Sequence, residues 1–151
     1  MHHIHVRAIM QTSVITIHPE ALLADAAQLL DEFRIRRLPV VDKEGCLVGI
    51  VTDADIREAE AASIAGNNYE PDMAEEWIAV GDVMSRDVVT IMPDATIGEL
   101  AVVFMNHKIG GAPVVEPDPN YQNRMRLAGI VTETDIFRMI ASAWQAENMT
   151  R

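Results

Sequence analysis

The sequence predicts a mixed α/β (α+β) fold made of two β-α-β-β-α units that pack sheet to sheet with pseudo-twofold symmetry. The first observation is a repeat: residues 49–55 read GIVTDAD and residues 129–135 read GIVTETD. The second is that each copy carries a segment of helical periodicity between short β-branched segments. The third is size, because a unit of about 50 residues is too small to bury both faces of a sheet alone. Two units sharing a core would solve that problem.

The repeat covers most of the 151 residues. An offset of 74 aligns Met10–Asp42 with Met84–Glu116 at 11 of 33 positions, and an offset of 80 aligns Leu47–Ile56 with Leu127–Ile136 at 7 of 10. The change of offset indicates an insertion at 116–126, whose prolines and asparagines predict an exposed loop between two strands. The predicted organisation is therefore a first unit at 1–66, an acidic connector at 67–79 and a second unit at 80–151.

Within the first copy, each element has its own local signal. Pro19 ends a β-branched run, apolar residues with helical spacing follow, and Gly45 can supply the positive φ of a tight hairpin. The predicted elements are a strand at Val14–Ile17, a helix at 21–33, strands at Leu38–Val41 and Leu47–Val51, and a helix from Asp53 to about Ala65.

The second copy repeats this order, beginning with a predicted strand at Val88–Ile91 that Pro93 ends. Its first helix is predicted to open with a capping box formed by Thr96 and Glu99, whereas the first copy has Leu22 at the capping position. The connector is expected to contain one short helix near residues 74–78.

Composition restricts the classes of function. The formal net charge of −11, from 23 acidic and 12 basic residues, argues against a nucleic-acid-binding surface, and no apolar run is long enough for a membrane span. Cys46 is the only cysteine, so neither an intramolecular disulfide nor a cysteine-based zinc site is predicted. These features predict a cytoplasmic protein. His2, His3 and His5 could bind a metal, but we expect a flexible terminus or a tag remnant instead.

The repeated phrase ends in Thr52-x-x-Asp55 and Thr132-x-x-Asp135, at the predicted junction of a strand and a helix. One interpretation is a helix N-cap, in which threonine accepts a backbone N–H and aspartate favours the helix dipole. The other is ribose recognition, because a carboxylate can accept both hydroxyls of a cis-diol. A divalent-metal site using Asp53 or Glu133 as well is disfavoured, because residues two apart do not share a helical face.

A cluster of arginines in the first copy, Arg34, Arg36 and Arg37, precedes the strand that contains Pro39, whereas Gly110 and Gly111 occupy the matching positions of the second copy. The cluster could bind phosphate, or it could be a solvated, salt-bridged face of an acidic protein.

The repeated PVV, the GIVT-x-x-D phrase and the β-α-β-β-α order together resemble a tandem pair of cystathionine-β-synthase (CBS) domains, known as a Bateman module. The resemblance spans about Arg7–Glu58 and Val80–Ile140. It implies two clefts between the units, in which Thr and Asp bind the ribose of an adenosyl ligand. It also implies that the basic residues before the strand that contains Pro39 contact phosphates, as in a nucleotide-sensing member of the family.

The resemblance implies two unequal pockets, each completed by residues of the other copy. The first would be formed by Thr52, Asp55, Arg36, Arg37, Ile50, Met84, Arg86, Val88 and Ile109. The second would be formed by Thr132, Asp135, Ile130, Gly110, Gly111, Met10, Thr12, Val14 and Ile35. The apolar members could equally belong to the core. Because only the first pocket has cations, it is predicted to hold a phosphorylated ligand. The second suits an uncharged nucleoside moiety, S-adenosylmethionine, or nothing.

No nucleophile–base pair or Gly-rich phosphate loop is present in the sequence, so no enzyme activity is predicted. The sequence instead predicts a free-standing regulatory module that senses AMP, ADP or ATP and signals to an unidentified protein partner. S-adenosylmethionine is the alternative ligand. The competing hypothesis is a structural or dimerisation module with vestigial pockets. A homodimer is expected in both cases, because the second helices carry apolar residues such as Phe137, Ile140 and Trp144 that a single module is expected to leave uncovered.

Overall fold

The computed structural model describes residues 1–67 and 77–149, with the backbone alone for 63–67. The chain forms two compact units. We call Ile15–Val88 the central unit, and Met1–Val14 together with Val89–Arg151 the terminal unit. The predicted boundaries at 66 and 80 follow the repeat, whereas the compact units exchange the segments that lead into each copy. The leader of the first copy, Met1–Val14, belongs with the second copy, and Val80–Val88 belongs with the first.

The central unit contains α1 (Leu23–Phe33), β1 (Arg37–Val41), β2 (Leu47–Thr52), α2 (Asp53–Asn67) and a one-turn helix, α3 (Val80–Val83). Strands β1 and β2 pair antiparallel. Their turn includes Gly45 at a φ of 83°, as the sequence predicts. The Asp42 carboxylate closes the turn by accepting the N–H groups of Glu44 and Cys46 at 3.0 and 2.9 Å. The predicted connector helix at 74–78 lies largely outside the described residues.

The terminal unit contains a short 3-10 helix (Val6–Ala8), α4 (Ile97–His107), β3 (Gly111–Pro117), β4 (Met125–Thr132) and α5 (Glu133–Met149). Strands β3 and β4 pair antiparallel from Gly111↔Thr132 to Pro117↔Met125. The insertion therefore lengthens both strands of this hairpin, and residues 118–124 form its tip. The mixed α/β class is confirmed, with one two-stranded sheet in each unit.

The first strand of each copy is much shorter than predicted. Ile17 pairs with Val40, and Ile91 with Val114, as isolated parallel bridges. The Ile17 N–H donates to the Pro39 carbonyl at 3.1 Å, and the Val41 N–H donates to the Ile17 carbonyl at 2.9 Å. The next hydrogen bond of this ladder on one side would need a donor N–H from Pro39, and the next one on the other side would need a donor N–H from Pro19. Because proline has no N–H, the ladder stops on both sides of Ile17. Pro113 and Pro93 impose the same limit in the second copy.

The N-terminal leader is an ordered part of the terminal unit, so the expectation of a flexible terminus is wrong. The Val6 N–H donates to the Ala95 carbonyl at 2.8 Å. The N–H groups of Ile97 and Gly98, which have no partner inside helix α4, donate to the carbonyls of Ile4 and His2 at 2.8 and 2.9 Å. Thr96 adds the predicted side-chain cap by accepting the Glu99 N–H.

Each unit has its own hydrophobic core, and each core includes a residue of the exchanged leader. Val6 is fully buried in the terminal core, and Val80 is fully buried in the central core. In the core of the central unit, helix α1 and strands β1 and β2 contribute the fully buried residues Leu23, Leu38 and Val51. The leaders therefore stabilise the unit onto which they pack, and in doing so they reach the strand–helix junctions that carry the Thr-x-x-Asp motifs. None of the described helices is long and apolar enough to cross a membrane.

Candidate ligand-binding sites

In the central unit, Thr52 and Asp55 form a reciprocal capping box where β2 enters α2. The Asp55 N–H donates to Thr52 Oγ1 at 3.1 Å, and the Thr52 N–H donates to Asp55 Oδ2 at 2.9 Å. The N-cap interpretation is thus confirmed for this motif. Both side chains are half-buried. Among the described residues no hydrogen bond reaches Asp55 Oδ1, which keeps its capacity to accept.

The arginines before β1 differ in position. Arg34 is the C-cap of α1 in the left-handed conformation, with a φ of 53°, so its backbone has a structural role. Arg36 is exposed, and its carbonyl accepts the Asp53 N–H at 3.1 Å. Arg37 is half-buried and opens β1 directly opposite Thr52. The fold thus brings Arg36 and Arg37 next to the capping box.

The leader Val80–Val88 completes this side of the central unit. Ser85 and Ile50 exchange backbone hydrogen bonds of 2.9 Å in both directions. Gly49 admits this approach, because a Cβ atom there would lie 2.6 Å from the Met84 sulfur and 2.9 Å from the Ser85 carbonyl oxygen. Arg86 and Val88 follow on the same leader, the first exposed and the second half-buried.

The terminal unit contains the corresponding junction where β4 enters α5, but its aspartate is more deeply buried and accepts more hydrogen bonds. Asp135 is only 5% exposed. Its Oδ2 accepts from the Thr132 N–H at 2.9 Å and from Thr132 Oγ1 at 3.3 Å. Its Oδ1 accepts from Gln11 Nε2 at 2.9 Å and from Arg138 Nη1 at 3.0 Å. Both oxygens of this carboxylate are therefore engaged inside the unit.

The same leader geometry recurs in the terminal unit. Gln11 and Ile130 exchange backbone hydrogen bonds of 2.8 and 2.9 Å. Gly129 lies close to this leader, because a Cβ atom there would be 2.7 Å from the Gln11 carbonyl oxygen and 3.0 Å from the Met10 sulfur. Thr12 is exposed and Val14 is half-buried.

The glycines that replace the arginines are Gly110 and Gly111. The Glu133 N–H donates to the Gly110 carbonyl at 2.9 Å. A Cβ atom on Gly110 would lie 2.9 Å from Glu133 Oε1, so a carboxylate stands against the position that Arg36 occupies in the central unit. The terminal junction therefore has a carboxylate beside the position where the central unit has the Arg36 side chain.

Two predicted residues belong to a different unit from the rest of their pocket. Ile109 packs against the core of the terminal unit, and Ile35 packs against the core of the central unit. Their participation in a ligand site stays a prediction.

The sequence did not point to Gln11 or Arg138 as partners of Asp135. Arg138 could have been found, since residues three apart on a helix are neighbours. Gln11 lies 124 residues from Asp135 and has no local signal.

The acidic residues next to the two motifs do not converge as a metal site would require. Asp53 accepts the Ala54 N–H at 2.9 Å and pairs with Arg57 at 3.4 Å. In the part of the chain that is described, no three His, Cys, Asp or Glu side chains group as metal ligands. The same holds for the N-terminal histidines, of which His5 hydrogen-bonds through Nδ1 to the Asp94 carbonyl at 2.7 Å.

Two copies of a CBS domain, at residues 6–62 and 80–142, match the family model, and the chain therefore belongs to the CBS domain family. A CBS domain-containing protein of Dictyostelium discoideum is 32% identical, over 89% of this chain and 90% of the relative. The L-aspartate semialdehyde sulfurtransferase of Methanocaldococcus jannaschii is also 32% identical, but the match covers 89% of this chain and 23% of that enzyme. The chain thus spans about a quarter of the length of the enzymes among its first relatives.

Solved structures agree with this assignment. The Vibrio cholerae protein AcuB, whose name refers to acetoin utilization, is 29% identical, covers 98% of both chains and gives a TM-score of 0.79. The CBS domain pair of the protein MJ0100, in complex with 5′-methylthioadenosine and S-adenosyl-L-methionine, is 31% identical. That match covers 92% of this chain and 97% of the other, with a TM-score of 0.70.

Proposed function

We propose that this protein is a non-enzymatic regulatory module that binds an adenosine-containing ligand at the Thr52–Asp55 junction of the central unit. The observation that carries the proposal is the open Asp55 Oδ1 beside Arg36 and Arg37. In this arrangement Oδ1 accepts the two ribose hydroxyls, while the arginines attract phosphate. The adenosyl ligands of the MJ0100 domain pair support the class of ligand.

The cations favour AMP, ADP or ATP over S-adenosylmethionine, which carries no phosphate. Arg36 is exposed, and among the described residues its side chain has no hydrogen bond or ion pair, so it can move toward a ligand. The attraction is partly screened by salt because the group faces solvent. Cells hold such nucleotides in the cytoplasm, where we place the protein. Occupancy of the site would then be transmitted to a protein partner.

A thermal-shift screen with AMP, ADP, ATP and S-adenosylmethionine tests the proposal, because a ligand that binds only the folded state raises the melting temperature. We expect the phosphorylated nucleotides to give the larger shifts. The matched control is Arg36→Gln, which removes the cation from an exposed position and should reduce the response to AMP without changing the response to adenosine. If the natural chain and Arg36→Gln gave equal melting-temperature shifts with AMP, the role of Arg36 would be contradicted.

A second function, as a dimerisation module, is favoured by a separate observation. Helix α5 exposes Phe137, Ile140 and Trp144 at 65, 43 and 64% of their surfaces, and their spacing of three and four residues places them on one side of the helix. We propose that these residues cover one another in a homodimer. The two functions are compatible, since a dimer gives a ligand-dependent module a way to transmit its state.

A further inference from the structure

We propose that Gln11 and Arg138 keep the terminal junction closed to ribose by occupying Asp135, so that the protein binds one adenosine ligand and not two. The inference rests on the proposed function of the central unit, because it compares the two junctions. It assigns to these two residues the difference in occupancy between the two copies.

The backbones of the two junctions are closely similar, so the difference arises from side chains. Gln11 is paired with Ile130 by backbone hydrogen bonds of 2.8 and 2.9 Å, and Ser85 is paired with Ile50 by two of 2.9 Å. The offset of 74 residues makes Ser85 the counterpart of Gln11. Serine is too short to repeat the bond that Gln11 donates to Asp135, and no hydrogen bond joins Ser85 to Asp55.

The second difference lies on the helix after the motif. Arg138 is the residue three positions beyond Asp135, and the offset of 80 residues makes Glu58 its counterpart beyond Asp55. Arg138 donates to Asp135 and neutralises it, whereas Glu58 is acidic and cannot donate a hydrogen bond to Asp55.

The number of acceptor sites shows why this occupation closes the junction. A carboxylate has about four lone-pair sites. Asp135 receives four donors from Thr132, Gln11 and Arg138. Within residues 1–67 and 77–149, Asp55 receives one donor, the Thr52 N–H, so a ribose diol would find free acceptors there and none at Asp135.

The closure can be reversed at moderate cost. The Arg138 side chain is 62% exposed, so water can solvate it once it leaves Asp135. Gln11 pairs with Ile130 through its backbone, whereas it reaches Asp135 through its side-chain amide. Replacing the side chain therefore leaves the backbone pairing with Ile130 in place. Substitutions at these two positions should therefore open the junction while the fold persists.

The experiment exchanges the two pairs of residues. The opened variant combines Gln11→Ser with Arg138→Glu and copies the central unit, and the closed variant combines Ser85→Gln with Glu58→Arg and copies the terminal unit. Isothermal titration with adenosine, which needs no cation, measures the number of sites, and melting curves without ligand confirm folding. We expect one site in the natural chain, two in the opened variant and none in the closed variant.

A background of Asp55→Ala isolates the terminal junction. The single variant should lose adenosine binding, and adding the opening pair should restore one site. If the opened variant does not fold, the closed variant still decides, because adenosine binding that survives Ser85→Gln with Glu58→Arg would overturn the inference.

The outcomes separate the two proposals. Two sites in the natural chain, or a single site that persists in the opened variant, would overturn the closure while leaving the central site intact. No binding in the natural chain but one site in the opened variant would overturn the proposed function and support the closure. No binding in either protein would overturn both.

Discussion

Replacing Asp55 with alanine should weaken the binding of AMP to the central unit by at least about tenfold. The Thr52 N–H uses Oδ2, so Oδ1 remains to accept one or both ribose hydroxyls. A hydrogen bond to a charged group contributes about 1.5–3 kcal/mol, and about 1.4 kcal/mol corresponds to a tenfold change in Kd. At the lower value, the loss is about 10-fold for one bond and about 150-fold for two.

The same substitution removes part of a helix cap, so stability has to be separated from recognition. Loss of the bond from the Thr52 N–H should cost about 1 kcal/mol, which corresponds to about 2–4 °C in melting temperature for a protein of this size. Asp55→Asn is the matched variant. Its amide oxygen can still accept the Thr52 N–H, but the negative charge that strengthens the bonds to ribose is gone.

Asp135→Ala provides the opposite pattern in the same fold. It removes the acceptor of four hydrogen bonds from Thr132, Gln11 and Arg138, whereas Asp55→Ala removes the acceptor of one in the described part of the chain, and each such bond contributes about 0.5–1.5 kcal/mol. The melting temperature should therefore fall more than in Asp55→Ala, while the affinity for AMP should stay largely unchanged.

Calorimetric titration of the three variants with AMP, alongside melting curves without ligand, measures both quantities. The reasoning would be refuted if Asp135→Ala abolished AMP binding while Asp55→Ala left it intact. It would also be refuted if Asp55→Asn bound AMP as tightly as the natural chain, since the carboxylate charge would then have no role.

Three further outcomes are expected. Gly129→Ala should destabilise the terminal unit by about 1–3 kcal/mol, because the new Cβ meets the Gln11 backbone. Gly98→Ala is the control and should not destabilise it, because its Cβ would be 3.4 Å from the nearest neighbouring atom. Chemical denaturation measures the stability of both variants, and equal losses would contradict this explanation. Trp144→Glu should shift the protein from dimer to monomer in sedimentation at tens of micromolar, and a natural chain found only at 16.7 kDa would refute the dimer. Replacing the hairpin tip, residues 118–124, with Asn-Gly should leave AMP affinity unchanged in titration, and a collapse of affinity would show that the tip contributes to a site.

The elements that depend on neighbours in sequence were predictable from the sequence. The helical periodicity placed α1 and α4, Gly45 marked a hairpin, and Thr96 marked a cap, because each signal acts over a few residues. The Thr52–Asp55 capping box was also readable, since both its hydrogen bonds span three residues. The repeat itself gave the family resemblance that the comparisons confirm.

Features that join distant residues were decided by the tertiary structure. The β-branched runs predicted strands, but Pro39 and Pro19 limit the first strand to Ile17, and the effect of each proline depends on which residue it faces across the ladder. The exchange of leaders could not be read from the repeat alone, because each leader aligns with its own copy but buries an apolar side chain, Val6 or Val80, in the compact unit that contains the other copy.

One difference between the two junctions was also predictable from the sequence, and another was not. The sequence determined that one copy has arginines where the other has Gly110 and Gly111, because that difference is written at aligned positions. Only the tertiary structure decided that Asp55 keeps an open oxygen while Asp135 does not. A hydrogen bond between Gln11 and Asp135 forms across 124 residues of chain, and it exists only because the folded backbone brings the leader against β4.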